Sequence, residues 1–140
     1  MIAFRSVRKT FADANGQETV ALHDLNLRIE TGEVHCLIGT SGCGKTTSLR
    51  LVNRLEEPTA GQVLVGGEDV VGVDIIRLRR RIGYVIQSGG LFPHMTVAQN
   101  ISVLNVLEGQ QAGEIERRVN ELLELVHLAP DQFASRYPKE

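Results

Sequence analysis

The sequence lacks most of the features that would assign it quickly to a class. It has 2 cysteines in 140 residues, Cys36 and Cys43, with six residues between them. That is neither a disulfide framework nor the C-x-x-C spacing of a redox or zinc pair. Both read as free thiols of a reducing compartment. No apolar run approaches the roughly 20 residues needed to span a bilayer. The first residues, Met1-Ile2-Ala3-Phe4-Arg5-Ser6-Val7-Arg8-Lys9, hold no long apolar core and do not read as a secretory signal. The expected location is cytoplasmic, with any membrane association made through a partner. Charge of one sign is missing too: Lys+Arg 15 against Asp+Glu 17 leaves a formal net charge of -2. Nothing in that balance draws the chain to nucleic acid or anionic lipid. The chain has no internal repeat and no low-complexity segment.

What is there is ordinary in bulk. The chain is 42% hydrophobic and 23% charged, the balance of a soluble globular protein. Its length is one domain's worth. One figure stands apart, Gly 14, because clustered glycine lets a backbone approach a ligand closely.

Hydrophobic periodicity divides the chain into elements. Leu25, Leu27 and Ile29 alternate with polar residues, the pattern of a half-buried strand. Ile2 to Phe11 is a weaker strand candidate, and Asn15-Gly16 between them marks a turn, giving an antiparallel unit. Val34-His35-Cys36-Leu37-Ile38 is nearly continuously apolar and predicts a strand buried on both faces, with His35 as a core histidine. A glycine-rich turn follows, then a helix from Lys45 to Leu55 that Pro58 stops. Gln62–Val65 predicts a strand turned by Gly66-Gly67. Asp74 caps a short helix through Ile75, Ile76 and Leu78, and its Arg77-x-Arg79-Arg80-Arg81 cluster reads as a solvated face. Val70-Val71-Gly72-Val73-Asp74 reads as a turn and that cap. Ile82–Gln87 predicts a further strand. Thr96-x-x-Gln99 has the form of a capping box and opens a helix to about Glu108. A second helix, Glu114 to His127, carries Ile115, Val119, Leu122, Leu123 and Val126 on one face. Pro130 and Pro138 fall in loops.

The sharpest signal is Gly39-Thr40-Ser41-Gly42-Cys43-Gly44-Lys45-Thr46. It fits G-x-x-x-x-G-K-[ST] without a mismatch, between a predicted strand and a predicted helix. Glycines let successive backbone N–H groups point inward at an anion. The helix that begins near Lys45 adds its positive end. Lys45 is expected to reach the β- and γ-phosphates as a point charge. The Thr46 hydroxyl is expected to ligate Mg²⁺. With Thr47, these residues form the expected nucleotide site, and Cys43 reads as a small residue that fits the loop.

Further segments extend the signal. Asp24–Glu33 leads into the loop, Pro58-Thr59-Ala60-Gly61-Gln62-Val63 follows the first helix, and Ile82–Gln87 ends in a glutamine. On these segments the chain resembles the ATP-binding subunit of an ABC transporter, over almost all of its length. The resemblance implies an α/β P-loop NTPase fold with an antiparallel β subdomain and the start of a helical subdomain, an incomplete domain. It divides the chain into a core part, 1–90, and a partial helical subdomain, 91–140. It implies ATP and Mg²⁺ as cofactors. Gln87 would be the glutamine-loop residue that senses metal and γ-phosphate and links the site to the membrane partner; an amide that both donates and accepts suits that task. Phe11 would stack on the adenine, offering a flat apolar face. His94 takes no catalytic role. Gln87-Ser88-Gly89-Gly90-Leu91-Phe92-Pro93-His94 is similar to the importers of glycine betaine, choline and related osmoprotectants. Implied partners are a transmembrane permease and a second ATP-binding subunit, with no nucleic acid. The implied place is the cytoplasmic face of the membrane.

The resemblance also implies absent parts. The family's Leu-Ser-Gly-Gly signature, its apolar strand ending in Asp-Glu and its switch histidine would follow Arg136-Tyr137-Pro138-Lys139-Glu140. Phosphoryl transfer rests on positioning and charge stabilisation, so the expectation is weak ATP–Mg²⁺ binding, without efficient hydrolysis, by an ATPase subunit fragment. The alternative is a nucleotide-responsive binding or regulatory module without ATPase activity. A soluble P-loop kinase is disfavoured by the glutamine-loop segment.

Overall fold

The computed structural model describes residues 1–86 and 89–139. The chain forms two compact units, Met1–Tyr84 and Val85–Glu140.

The first unit is built on a long hairpin. Strands β1 (Ile2–Ala12) and β2 (Glu18–Ile29) pair antiparallel, with Ile2 opposite Ile29 and Phe11 opposite Thr19. The turn is where Asn15-Gly16 predicts it. Asp13 Oδ1 accepts from the amides of Asn15 at 2.8 Å and Gln17 at 2.9 Å, a side chain standing in for backbone acceptors. Both strands run further than the alternation of Leu25, Leu27 and Ile29 alone marks. Strand β3 (Ala60–Val65) joins the other edge of β1, and the two-residue β4 (Glu68–Asp69) follows through Gly66-Gly67. The sheet order is β2-β1-β3-β4.

Helix α1 (Lys45–Val52) lays Leu51 into the core formed by Phe4, Val7, Val63, Val70 and Leu78. Its end differs from expectation. The helix stops at Val52, before Leu55 and well before Pro58. Arg54 takes a left-handed φ of 53°. Its amide then donates to the Leu51 carbonyl at 3.2 Å and the Leu55 amide to that of Arg50 at 2.9 Å. That pattern closes a helix from within. Helix α2 (Ile75–Arg80) starts at Asp74, whose carboxylate accepts from the Arg77 amide at 2.8 Å, as its sequence predicts. The arginine cluster is only partly a free face. Arg77 and Arg81 bridge to Glu68 at 2.6 Å and 3.0 Å, and Arg79 donates to the carbonyls of Asn53 at 3.1 Å and Arg54 at 2.8 Å.

Two expected strands are absent among the described residues. Residues 34–38 and 82–86 are in no strand. Val34 and Ile38 are 92% and 93% exposed, so the burial on both faces predicted for residues 34–38 is overturned, and Val85 is 96% exposed as well. Apolar composition allows a central strand, but a strand also needs neighbours to accept and donate its ladder bonds. Neither segment joins the ladder of the four-stranded sheet among the described residues. An apolar cavity of about 200 Å³ opens between Phe4, Leu27, Leu37, Leu49 and Ile82. His35 is correspondingly no core histidine. It is exposed, with Nε2 2.9 Å from Glu33 Oε2.

The second unit is helical. Helix α3 (Val97–Leu107) opens on the predicted capping box: Thr96 Oγ1 accepts from the Gln99 amide at 3.2 Å, and Gln99 Oε1 from the Thr96 amide at 2.8 Å. Helix α4 (Ala112–Leu125) buries Val119 and Leu123, while Val126, assigned by its periodicity to the same face, lies past the helix end and is 60% exposed. Helix α4 ends as α1 does, with His127 at φ 62°. A short helix α5 (Pro130–Phe133) replaces the loop expected at Pro130. Proline suits its first turn, where the missing N–H is no loss. Asn100 ties down the loop before α3: its Nδ2 donates to the Phe92 carbonyl at 3.1 Å, and its Oδ1 accepts from the Phe92 amide at 2.7 Å. No helix of the described residues is long and apolar enough to cross a membrane.

Candidate nucleotide site

The glycine-rich loop is a closed turn on the first unit. The Cys43 amide donates to the Thr40 carbonyl at 3.4 Å, and the loop ends at Gly44, the N-cap of α1, at φ 93° and ψ 0°. This left-handed residue turns the chain from loop into helix, a conformation that favours glycine. The space is as restrictive as the torsion. A Cβ on Gly44 would lie 2.6 Å from Leu22 Cδ2 and 2.8 Å from the Ala21 carbonyl oxygen. Strand β2 is thus the wall against which the loop is pressed. Gly39 has a different reason to lack a side chain, since its Cβ would meet Cys43 Sγ at 2.6 Å.

Lys45 crosses the loop. Its Nζ donates to the carbonyls of Gly39 at 2.8 Å and Thr40 at 2.6 Å, and to Cys43 Sγ at 3.3 Å. The ammonium is held at the loop mouth by partners that cannot neutralise its charge. Helix α1 begins without a side-chain cap and without an acidic residue in its first turn. Its leading N–H groups are therefore not taken by a cap, and its positive end is unopposed. Thr40, Ser41, Gly42, Cys43 and Thr46 are exposed, and Thr47 is half-buried. Farther along α1, the buried Ser48 hydroxyl donates to the Gly44 carbonyl at 3.0 Å and pins the first turn to the loop. The Lys45 ammonium and the uncapped start of α1 bring positive charge to this loop. That charge, beside the exposed Thr46, suits an anion such as a polyphosphate.

Phe11 belongs to the same unit. It lies near the end of β1, 37% exposed, with the Lys9 ammonium 4.7 Å from its ring centroid. Register connects it to the loop, because Lys9 lies opposite Leu22, the residue that touches Gly44. Leu22 and Lys9 are the two participants that motif reading misses. Alternation along β1 would have put Lys9 beside Phe11, but the contact of Leu22 with Gly44 has no local signal. Gln87 lies outside the described residues.

Electrostatics at the loop's approach are mild. Glu33 is held below the ordinary carboxylate range, first by the Glu30 backbone amide it accepts from at 2.8 Å and then by the His35 ring.

Comparison with known proteins places this geometry. The sequence model of the ABC transporter family matches residues 22–140. The osmoprotectant import ATP-binding protein OsmV of Salmonella typhimurium is 43% identical over 140 residues, all of this chain and 37% of that protein. The choline transport ATP-binding protein OpuBA of Bacillus subtilis is 45% identical, over all of this chain and 35% of that protein. The methionine import ATP-binding protein MetN of Xanthomonas campestris is also 45% identical, over all of this chain and 42% of that protein. The chain thus spans well under half the length of these relatives. Among solved structures, the ATP-binding cassette MJ0796 in a dimeric post-hydrolysis state bound to ADP and Pi superposes with a TM-score of 0.87 at 29% identity, over 99% of this chain and 62% of that one. The fold is that of the α/β P-loop NTPases, with an antiparallel sheet and helices, and a partial domain of it. By its phosphate loop, its fold and the match over residues 22–140, the chain belongs to the ABC transporter ATP-binding family.

Proposed function

We propose that this chain is the nucleotide-binding part of a subunit that couples ATP binding and hydrolysis to import of a small solute. The carrying observation is the loop from Gly39 to Thr46, with Lys45 tied to the carbonyls of Gly39 and Thr40. In this reading the loop amides, Lys45 and the first turn of α1 take the phosphates, and Phe11 takes the adenine face. Thr46 and Gln87 are the residues that would hold Mg²⁺, which when bound offsets phosphate charge. Lys45 and Gln87 are the residues assigned to the chemistry. The core part is 1–90 and the partial helical subdomain 91–140.

The cargo class we favour is a quaternary-amine osmoprotectant such as glycine betaine or choline. The names of OsmV and OpuBA support it, although MetN, named for methionine, is as similar in identity. The partners are a transmembrane permease and a second ATP-binding subunit, and the place is the cytoplasmic face of the membrane. Alone, the chain binds ATP without efficient hydrolysis.

Titration of the 140-residue chain with ATP–Mg²⁺, beside a phosphate-release assay, tests this. Binding lost in Lys45→Ala, with no steady turnover, is the expected result. Steady turnover that Lys45→Ala abolishes would overturn the last claim. Binding indifferent to Lys45 would overturn the site.

A further inference from the structure

One face of the Phe11 ring is already occupied. The Lys9 ammonium stands 4.7 Å from the ring centroid, within cation–π range. That ammonium is fixed. It bridges to Glu56 at 3.0 Å and donates to the Glu57 carbonyl at 3.0 Å, and its side chain is 13% exposed. The same segment is laced to β1 by backbone: the Thr59 amide donates to the Arg8 carbonyl at 2.8 Å, and the Thr10 amide to Thr59 Oγ1 at 3.0 Å. Residues 56–59 follow closely on α1, whose first turn carries Lys45 and Thr46. The ring at the hairpin end is therefore tied, through Lys9, to the segment that continues the phosphate-loop helix.

We propose that Lys9 is a positioning residue for the nucleobase. Held by Glu56 and the Glu57 carbonyl, it fixes the Phe11 ring by one face and leaves the other face for a purine. The proposal rests on the reading of Phe11 as the base-stacking residue. Its physical basis is preorganisation: a ring ordered before the ligand arrives loses less freedom on binding.

The test compares two ligands on the 140-residue chain: ATP, and inorganic tripolyphosphate, which carries the charge without the base. Lys9→Met is expected to weaken ATP binding by about threefold to fivefold and leave tripolyphosphate unchanged. Lys9→Arg restores ATP binding, because a guanidinium also sits on an aromatic face. In the Phe11→Ala background, Lys9→Met has no further effect. ATP binding unchanged in Lys9→Met while Phe11→Ala weakens it overturns the role of Lys9 alone. Equal weakening of both ligands by Lys9→Met does the same, since it marks a purely structural role. ATP binding unchanged in Phe11→Ala overturns the stacking reading, and the proposal with it, as does a chain that binds no ATP.

Discussion

Leu22 and Gly44 are in contact so close that no side chain fits between them: a Cβ on Gly44 would stand 2.6 Å from Leu22 Cδ2. The hairpin and the phosphate loop therefore share one wall. Through the pairing of Leu22 with Lys9, that wall extends to β1, the strand that carries Phe11.

Gly44→Ala should damage loop and fold together. The φ of 93° is strained for any residue with a Cβ, and the Ala21 carbonyl at 2.8 Å is backbone that cannot swing aside. A destabilisation of about 1–3 kcal/mol is expected, with ATP binding weaker by about tenfold or more, a loss of ~1.4 kcal/mol. Calorimetric titration and urea unfolding read the two effects. An alanine variant that binds ATP like the parent would contradict the packing described.

Gly61→Ala probes the sheet away from the site. Gly61 has a φ of 80°, and its Cβ would lie 2.2 Å from the Ser6 carbonyl oxygen. Ser6 itself takes a φ of 46°, at the register shift of β1, where its amide donates to Asn26 Oδ1 at 2.8 Å. Neither backbone can yield cheaply. A loss of about 2–4 kcal/mol is expected in equilibrium unfolding, and a loss under 0.5 kcal/mol, the range of an ordinary surface change, would show that the bulge relaxes.

Thr96→Ala removes half of the capping box of α3. A cost of about 1 kcal/mol is expected, with faster hydrogen exchange at the Gln99 amide, which loses its acceptor. Unchanged exchange at that amide would argue against the cap.

Glu68 gives a pH signature. Hydrogen bonds from Arg81 and then Arg77 hold its carboxyl below the ordinary value of 4.5. The folded state thus favours the ionised form more than the unfolded state does. Its contribution is fully present above the unfolded value and is lost as pH falls through the folded one. Glu68→Gln should lower the melting temperature slightly at pH 7, and the gap to the parent should close under acid. A gap that stays constant down through that acid range would sink the assignment. The pair is exposed, so the effect is small and salt-sensitive.

Features set by neighbours in the chain were legible without coordinates. The Thr96–Gln99 box, the Asp74 cap and the Asn15-Gly16 turn each rest on contacts a few residues apart. Side-chain chemistry and spacing decide such contacts directly. The boundary of α1 was less legible because Arg54, not a glycine, adopts the left-handed end.

By itself, the sequence determined the glycine-rich loop motif, the caps of α2 and α3, and the family to which the chain belongs. Only the tertiary structure decided that Val34–Ile38 is exposed, that β2 walls the loop at Gly44, and that Lys9 occupies one face of Phe11. The physical reason is range. Propensity and capping are local energies, whereas a strand's hydrogen-bond partners and a residue's burial depend on chain segments distant in sequence.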